Sequence, residues 1–197
     1  MNTLPLIAFL VLTLALVSSP AADSFQICER TEVLPEAGTL QCSVVNWDSW
    51  ELTFLQPGGW AVQTDAASKK ITFRAPDYSA TLIMQVRPEN PALRSRNQSG
   101  ELKRQVSDKH PAAKIDEVFP CYTGNLPGQA FDLQEKMGDN VAAHYRLAFV
   151  TFEGGSLEFT LTTSAASLAK SRQSFDAFLS SVHINRVTST ASTARTK

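Results

Sequence analysis

Apolar residues recur at every second position through several long stretches of this sequence, and that spacing limits the fold more than any other feature. From Val141 to Phe152, one side of the chain carries Val141, Ala143, Tyr145, Leu147 and Phe149, and Leu157, Phe159 and Leu161 repeat the pattern. A strand turns successive side chains to opposite faces, so a period of two paints one face of a sheet. Trp50, Leu52 and Phe54 share this period, as do Ile71, Phe73 and Ala75, and then Ala80, Leu82, Met84 and Val86. Further strands are expected over 114–122 and 129–136, with turns at "NLPG", "MGDN" and "EGG" between the later strands.

Two segments break this period. "ENPALRSRNQSGELKRQVSDKHP" offers Asn90 as an N-cap, Pro91 at a first helical position and Leu102 four residues before Val106. It predicts a helix that is clearest after Gly100 and ends before Pro111. "TSAASLAKSRQSFDAFLSSV" can be capped by Ser164 and puts Leu168, Phe175, Phe178, Leu179 and Val182 on one stripe at helical spacing. The stretch "FLQPGGWAV" reads as a hairpin turn, with Pro57 fixing φ and Gly58 taking the positive φ of a type II turn. A phosphate-cradling loop would need GxGxxG or GxxxxGK[ST] running into a helix, and neither occurs here. Strands joined by tight turns are antiparallel, and helices cover their apolar faces. The expected fold is therefore α+β, an antiparallel β-sheet flanked by helices in an α/β/α sandwich.

The first residues contain an apolar run from Leu4 to Val17 without a charge, too short for a comfortable membrane span. With Ser19 and Ala21 before Ala22, residues 1–21 read as a signal peptide. No Lys or Arg precedes the run, and "SFQIC" lacks the small residues that acylation of Cys28 requires. Removal of the signal leaves roughly 175 residues, enough for one domain with a core. The expected organisation is an N-terminal extension over 22–49, one domain over 50–185 and a disordered polar tail over 186–197. A formal charge of −1 gives no field for nucleic acid or anionic lipid. In an exported chain the three cysteines, Cys28, Cys42 and Cys121, invite a disulfide with one thiol left over. Cys28 with Cys42 is the preferred pair, stabilising by about 3 kcal/mol. Spacing alone leaves other pairings, or none, open.

"LTFLQPGGWAV", the hairpin after it and the ending "GGSLEFTLTTSAASLAKSRQSFDAFLSSVHI" together resemble PsbP-like and DcrB-like domains, over roughly Trp50 to Ile184. The resemblance implies an antiparallel sheet between helices. It also implies a non-catalytic scaffold that binds or stabilises a larger partner, since that superfamily includes extrinsic photosystem subunits, periplasmic lipoproteins and dimeric secretion chaperones. The chain departs from the lipoproteins in lacking an acylation cysteine and from the cytoplasmic chaperones in carrying a signal-like leader.

Motifs for chemistry are sparse. His110, His144 and His183 have no metal-type partner at a readable spacing, and there is no GxSxG or Cys-x-x-Cys. Cys121 with His144 or His110 is the one conceivable nucleophile pair. Asp132 with Glu135, and Asp116 with Glu117, split between opposite faces of a strand and read as solvated charge. Arg94, Arg96, Lys103, Arg104 and Lys109 read as a solvated helix face, and Asn97 opens an N-x-S sequon. Trp47, Trp50 and Trp60 offer a possible binding surface as an aromatic platform; the competing reading makes Trp50 and Trp60 core anchors and leaves Trp47 exposed.

These observations lead to an exported, non-catalytic binding or assembly-factor domain acting on an unidentified protein partner. No cofactor, no nucleic acid and no membrane span after signal removal are expected. The alternatives are a carrier of a small apolar ligand in a cavity lined by Phe159, Phe175 and Leu179, or an enzyme of unrecognised type.

Overall fold

The computed structural model describes residues 25–34, 38–94, 97–137 and 141–187; the expected signal peptide and most of the expected tail lie outside them. The strands in chain order are β1 (Ile27–Leu34), β2 (Gly38–Trp47), β3 (Trp50–Phe54), β4 (Ala61–Asp65), β5 (Lys70–Arg74) and β6 (Ala80–Arg87). Helix α1 (Gln98–Lys109) follows, then β7 (Ala113–Tyr122), β8 (Pro127–Met137), β9 (Val141–Phe152) and β10 (Gly155–Ser164), helix α2 (Leu168–Ser181) and β11 (His183–Arg186).

The strands form two antiparallel sheets rather than the single sheet expected. A large one has the order β4-β5-β6-β10-β9-β8-β7 and a small one the order β1-β2-β3-β11. A helix meets each face of the large sheet, but the fold is richer in sheet than the helix-flanked sandwich expected. Leu102 and Val106 of α1 pack on Phe131, Leu133, Leu147 and Phe149, the odd-numbered face of β8 and β9. The opposite face gives Ala148, Val150 and Phe152, with Leu157, Phe159 and Leu161 of β10, to the main core. Helix α2 and the small sheet cover that second face together, through Phe175, Phe178 and Leu179 and through Val45, Leu52, Phe54 and Ile184. The small sheet is the addition to the expected sandwich.

Two of its strands come from the segment read as an N-terminal extension. Val45 opposes both Ile27 and Leu52, and Phe25, Val45 and Trp47 are buried in the core. Asn90 caps as expected, its Oδ1 accepting the Ala92 N–H at 3.0 Å, but the element it caps is a short 3-10 turn (Pro91–Arg94) separate from α1.

Each sheet has two outer edges. The Asn125 side chain closes that of β11, its Nδ2 donating to the Ile184 carbonyl at 2.9 Å and its Oδ1 accepting the Ile184 N–H at 3.4 Å. Asn125→Ala is expected to destabilise the fold by about 1–3 kcal/mol, because both groups of a residue only 5% exposed lose their partner. Urea denaturation measures this, and an unchanged midpoint would refute the edge-closing role.

Candidate functional site

The connection from β3 to β4 is not a hairpin. Both sides of β3 are occupied, by β2 and by β11, and among the described residues β4 pairs only with β5. The six residues from Leu55 to Trp60 therefore carry the chain from the small sheet to the outer edge of the large one. The turn within them sits one residue later than expected: Trp60 N–H donates to the Pro57 carbonyl at 3.1 Å, and Gly59, not Gly58, takes the positive φ, at 75°. Pro57 thus starts the turn, and Gly59 supplies its third position, where a side chain would be strained.

Two anchors hold the start of this loop. Leu55 N–H donates to Ser181 Oγ at 3.0 Å, and Gln56 Nε2 donates to Ser43 Oγ at 2.7 Å. Facing it is the β5–β6 turn, in which Tyr78 N–H donates to the Ala75 carbonyl at 3.0 Å. There Asp77 Oδ1 accepts from the backbone N–H and the hydroxyl of Ser79, at 3.1 and 2.6 Å. These bonds hold the Asp77 carboxyl below the usual carboxylate range, and the charge of Lys170 adds to the effect. Thr163 Oγ1 donates to the Ser79 carbonyl at 3.1 Å and lies 3.0 Å from Ser171 Oγ, joining the turn to α2.

Loop, turn and helix enclose a cleft of about 460 Å³. Its walls are Leu55 to Gly58 and Trp60 from the loop, and Ala75 to Asp77 and Ser79 from the turn. Helix α2 contributes Lys170, Ser171, Ser174, Ala177 and Phe178, a set at i, i+1, i+4, i+7 and i+8 that shares one helix face. Leu55 at the cleft is 37% exposed, and Tyr78, at the tip of the turn, is 80% exposed with φ of 57°. A left-handed tyrosine at a solvent-facing tip is a strained position.

The tryptophans do not make one platform. Trp47, expected to be exposed, is buried, because register sets it against Trp50 across the β2–β3 hairpin and packs it on Phe25 and Phe152. Trp50 is half-buried edge-on to Phe152 at 5.0 Å, with the Arg186 guanidinium 5.9 Å from its ring. Trp60 alone of the three lines the cleft.

Cys28 and Cys42 are not bonded to each other; with Cys121 they are free thiols. The β1–β2 register puts Cys28 opposite Val44 and Cys42 opposite Arg30, so the two cysteines are diagonal neighbours. Diagonal pairs stand about 7–8 Å apart, beyond the reach of an unstrained disulfide. Cys121 is buried, and loss of solvent pushes its thiol up to about 11. It lies at Gly128, opposite Val150, whereas His144 is six residues earlier on β9, roughly 20 Å away. Brief alkylation at neutral pH is expected to modify Cys28 and spare Cys121, as read by mass spectrometry; rapid labelling of Cys121 would contradict this burial.

Asp132 is buried rather than solvated. It receives Arg146 Nε at 2.8 Å and Arg172 Nη2 at 2.8 Å, while Arg146 Nη1 also reaches Asp176 at 2.8 Å. Asp132 points to the face that α2 covers, and nothing local in the sequence brings the two arginines to it. Glu135 lies on the other face, beside Tyr145. His110 ends α1, its ring 5.2 Å from that of Tyr145, and His183 is exposed. On α1, Arg104 pairs with Glu101 and Asp108, and Lys109 with Glu158. Among the described residues no group of three His, Cys, Asp or Glu side chains could hold a metal, and no helix is long and apolar enough to cross a membrane.

No protein-family model and no curated protein sequence matches the chain. Among solved structures it is similar to cyanobacterial PsbP (CyanoP) from Synechocystis sp. PCC 6803, at 16% identity over 86% of this chain and 99% of that one, with a TM-score of 0.47. It is also similar to PA94, a protein of unknown function from Pseudomonas aeruginosa, at 14% identity over 75% and 90% of the two chains, with a TM-score of 0.42.

Proposed function

We propose that this chain is an exported, non-catalytic binding domain that holds a larger protein partner at the cleft between the Leu55–Trp60 loop, the β5–β6 turn and α2. One observation carries the reading: an indole, two prolines and a phenylalanine share the cleft with Lys170, Asp77 and serines, beside exposed Leu55 and Tyr78. Aromatic anchors with a polar rim are the composition of a protein-binding patch. Export rests on the apolar run before Ala22, which lies outside the described residues.

A carrier of an apolar ligand would need room beside Phe159, Phe175 and Leu179. Phe159, Phe175 and Leu179 are buried in the core, filling the space between α2 and the sheet. A cleft of about 460 Å³ does fall within the size range of small-ligand sites. Its mixed wall, apolar at Leu55, Trp60 and Phe178 and polar at Lys170, Asp77 and the serines, suits a peptide.

Photo-crosslinking groups placed at Leu55 and at Tyr78, with Glu117 on the distant edge of the large sheet as control, test the proposal in the native host. The same partner is expected from both cleft positions and not from Glu117. Equal recovery from all three, or no reproducible partner, would overturn it.

A further inference from the structure

Among the described residues, three of the four sheet edges are guarded against pairing with another strand. β11 is closed by Asn125, β7 carries Pro120, a bulge between Ile115 and Glu117 and three charged side chains, and β1 carries Glu29, Arg30 and Glu32. Prolines, bulges and charges are the usual means of keeping an edge strand from adding a neighbour. β4 has none of these along its first four residues, Ala61, Val62, Gln63 and Thr64. Among the described residues its backbone bonds only to β5, and Ala61, Gln63 and Thr64 are exposed. The unguarded edge begins at the residue after Trp60, which lines the cleft. Lys170 on the cleft wall is exposed and makes no ion pair among the described residues, although its charge acts on the Asp77 carboxylate, whose Oδ1 is bonded to Ser79.

We propose that the partner segment held at this site is an extended, acidic-apolar polypeptide that adds as a strand to the free edge of β4, sets a bulky apolar side chain beside Trp60 and meets Lys170 with a carboxylate. This rests on the binding role proposed above and specifies its mode. Backbone hydrogen bonds to β4 supply affinity that depends little on sequence, and the cleft selects the side chain that follows. Lys170 favours an acidic residue through charge complementarity, which makes the association rate fall with salt.

The test pans a displayed library of linear random peptides on the full chain, then follows the selected peptides by titration and by amide hydrogen exchange. The proposal expects enrichment of peptides with an acidic residue near a large apolar one, and slowed exchange at Val62 to Thr64 on binding. It also expects affinity lost on N-methylation of the peptide backbone, and weakened about tenfold or more by Trp60→Ala and by Lys170→Glu. Lys170 is exposed, so its variant keeps the test sound if Trp60→Ala fails to fold. Peptides that respond to both variants yet leave β4 exchange unchanged would overturn strand addition while sparing the binding role. Failure to select any peptide that responds to either variant would overturn both.

Discussion

Replacing Phe178 with alanine is expected to destabilise the protein by about 3–5 kcal/mol. The ring is 2% exposed and meets three others, at 5.6 Å from Phe54, 5.0 Å from Phe73 and 6.2 Å from Phe159. Those partners belong to β3, β5 and β10, so one side chain of α2 joins both sheets. Its removal leaves a cavity at a three-way junction, where no single element can move in to fill the space. Phe178 also lines the cleft, so binding should weaken alongside stability. Urea denaturation gives the value; a loss under about 1 kcal/mol would mean that the small sheet and α2 do not share a core with the large sheet.

Asp132→Ala should cost a similar amount for a different reason. Asp132 is 2% exposed, and Arg146, whose side chain is 11% exposed, would keep a buried charge without its main acceptor. Burial opposes the charge on Arg146, but Asp132 and Asp176 outweigh it and hold the guanidinium above its usual pKa. Breaking one partner of a buried pair costs about 3–5 kcal/mol, whereas replacing both with apolar residues is often nearly neutral. Asp176→Ala is the control: its side chain is 58% exposed, so the loss should stay below about 1 kcal/mol. Equal effects of Asp132→Ala and Asp176→Ala in denaturation would refute a buried network centred on Asp132.

Much of this fold was legible because buried strands write their period into the sequence. The run 141–152 matches β9, the expected strands over 114–122 and 129–136 fall within two residues of β7 and β8, and Leu157, Phe159 and Leu161 lie in β10. β1 was missed because its residues, ICERTEVL, mix charge into both faces and leave no apolar stripe, as suits an exposed edge. β11 was missed because four residues, HINR, are too few to show a period. The existence of two sheets was hidden for another reason. Periodicity says that a segment is a strand, while its partner is a non-local choice, such as Ile184 opposite Leu52. The cleft was misread through the same gap. "QPGG" announces a turn, but only knowledge that β11 takes the second side of β3 shows that the turn cannot close a β3–β4 hairpin. One local hint was present, since six residues between strands exceed the two-residue loops that tight hairpins favour.

The cleft, the open edge of β4 and the place of Trp60 all follow from that loop passing between the sheets. Cross-strand backbone proton contacts measured by nuclear Overhauser spectroscopy test it most directly. Leu52 should show contacts to Val45 and to Ile184, and Val62 to Phe73, with none between residues 50–54 and 61–65. A ladder of contacts between those two segments would mean that the loop closes a hairpin, and the proposed site would not exist.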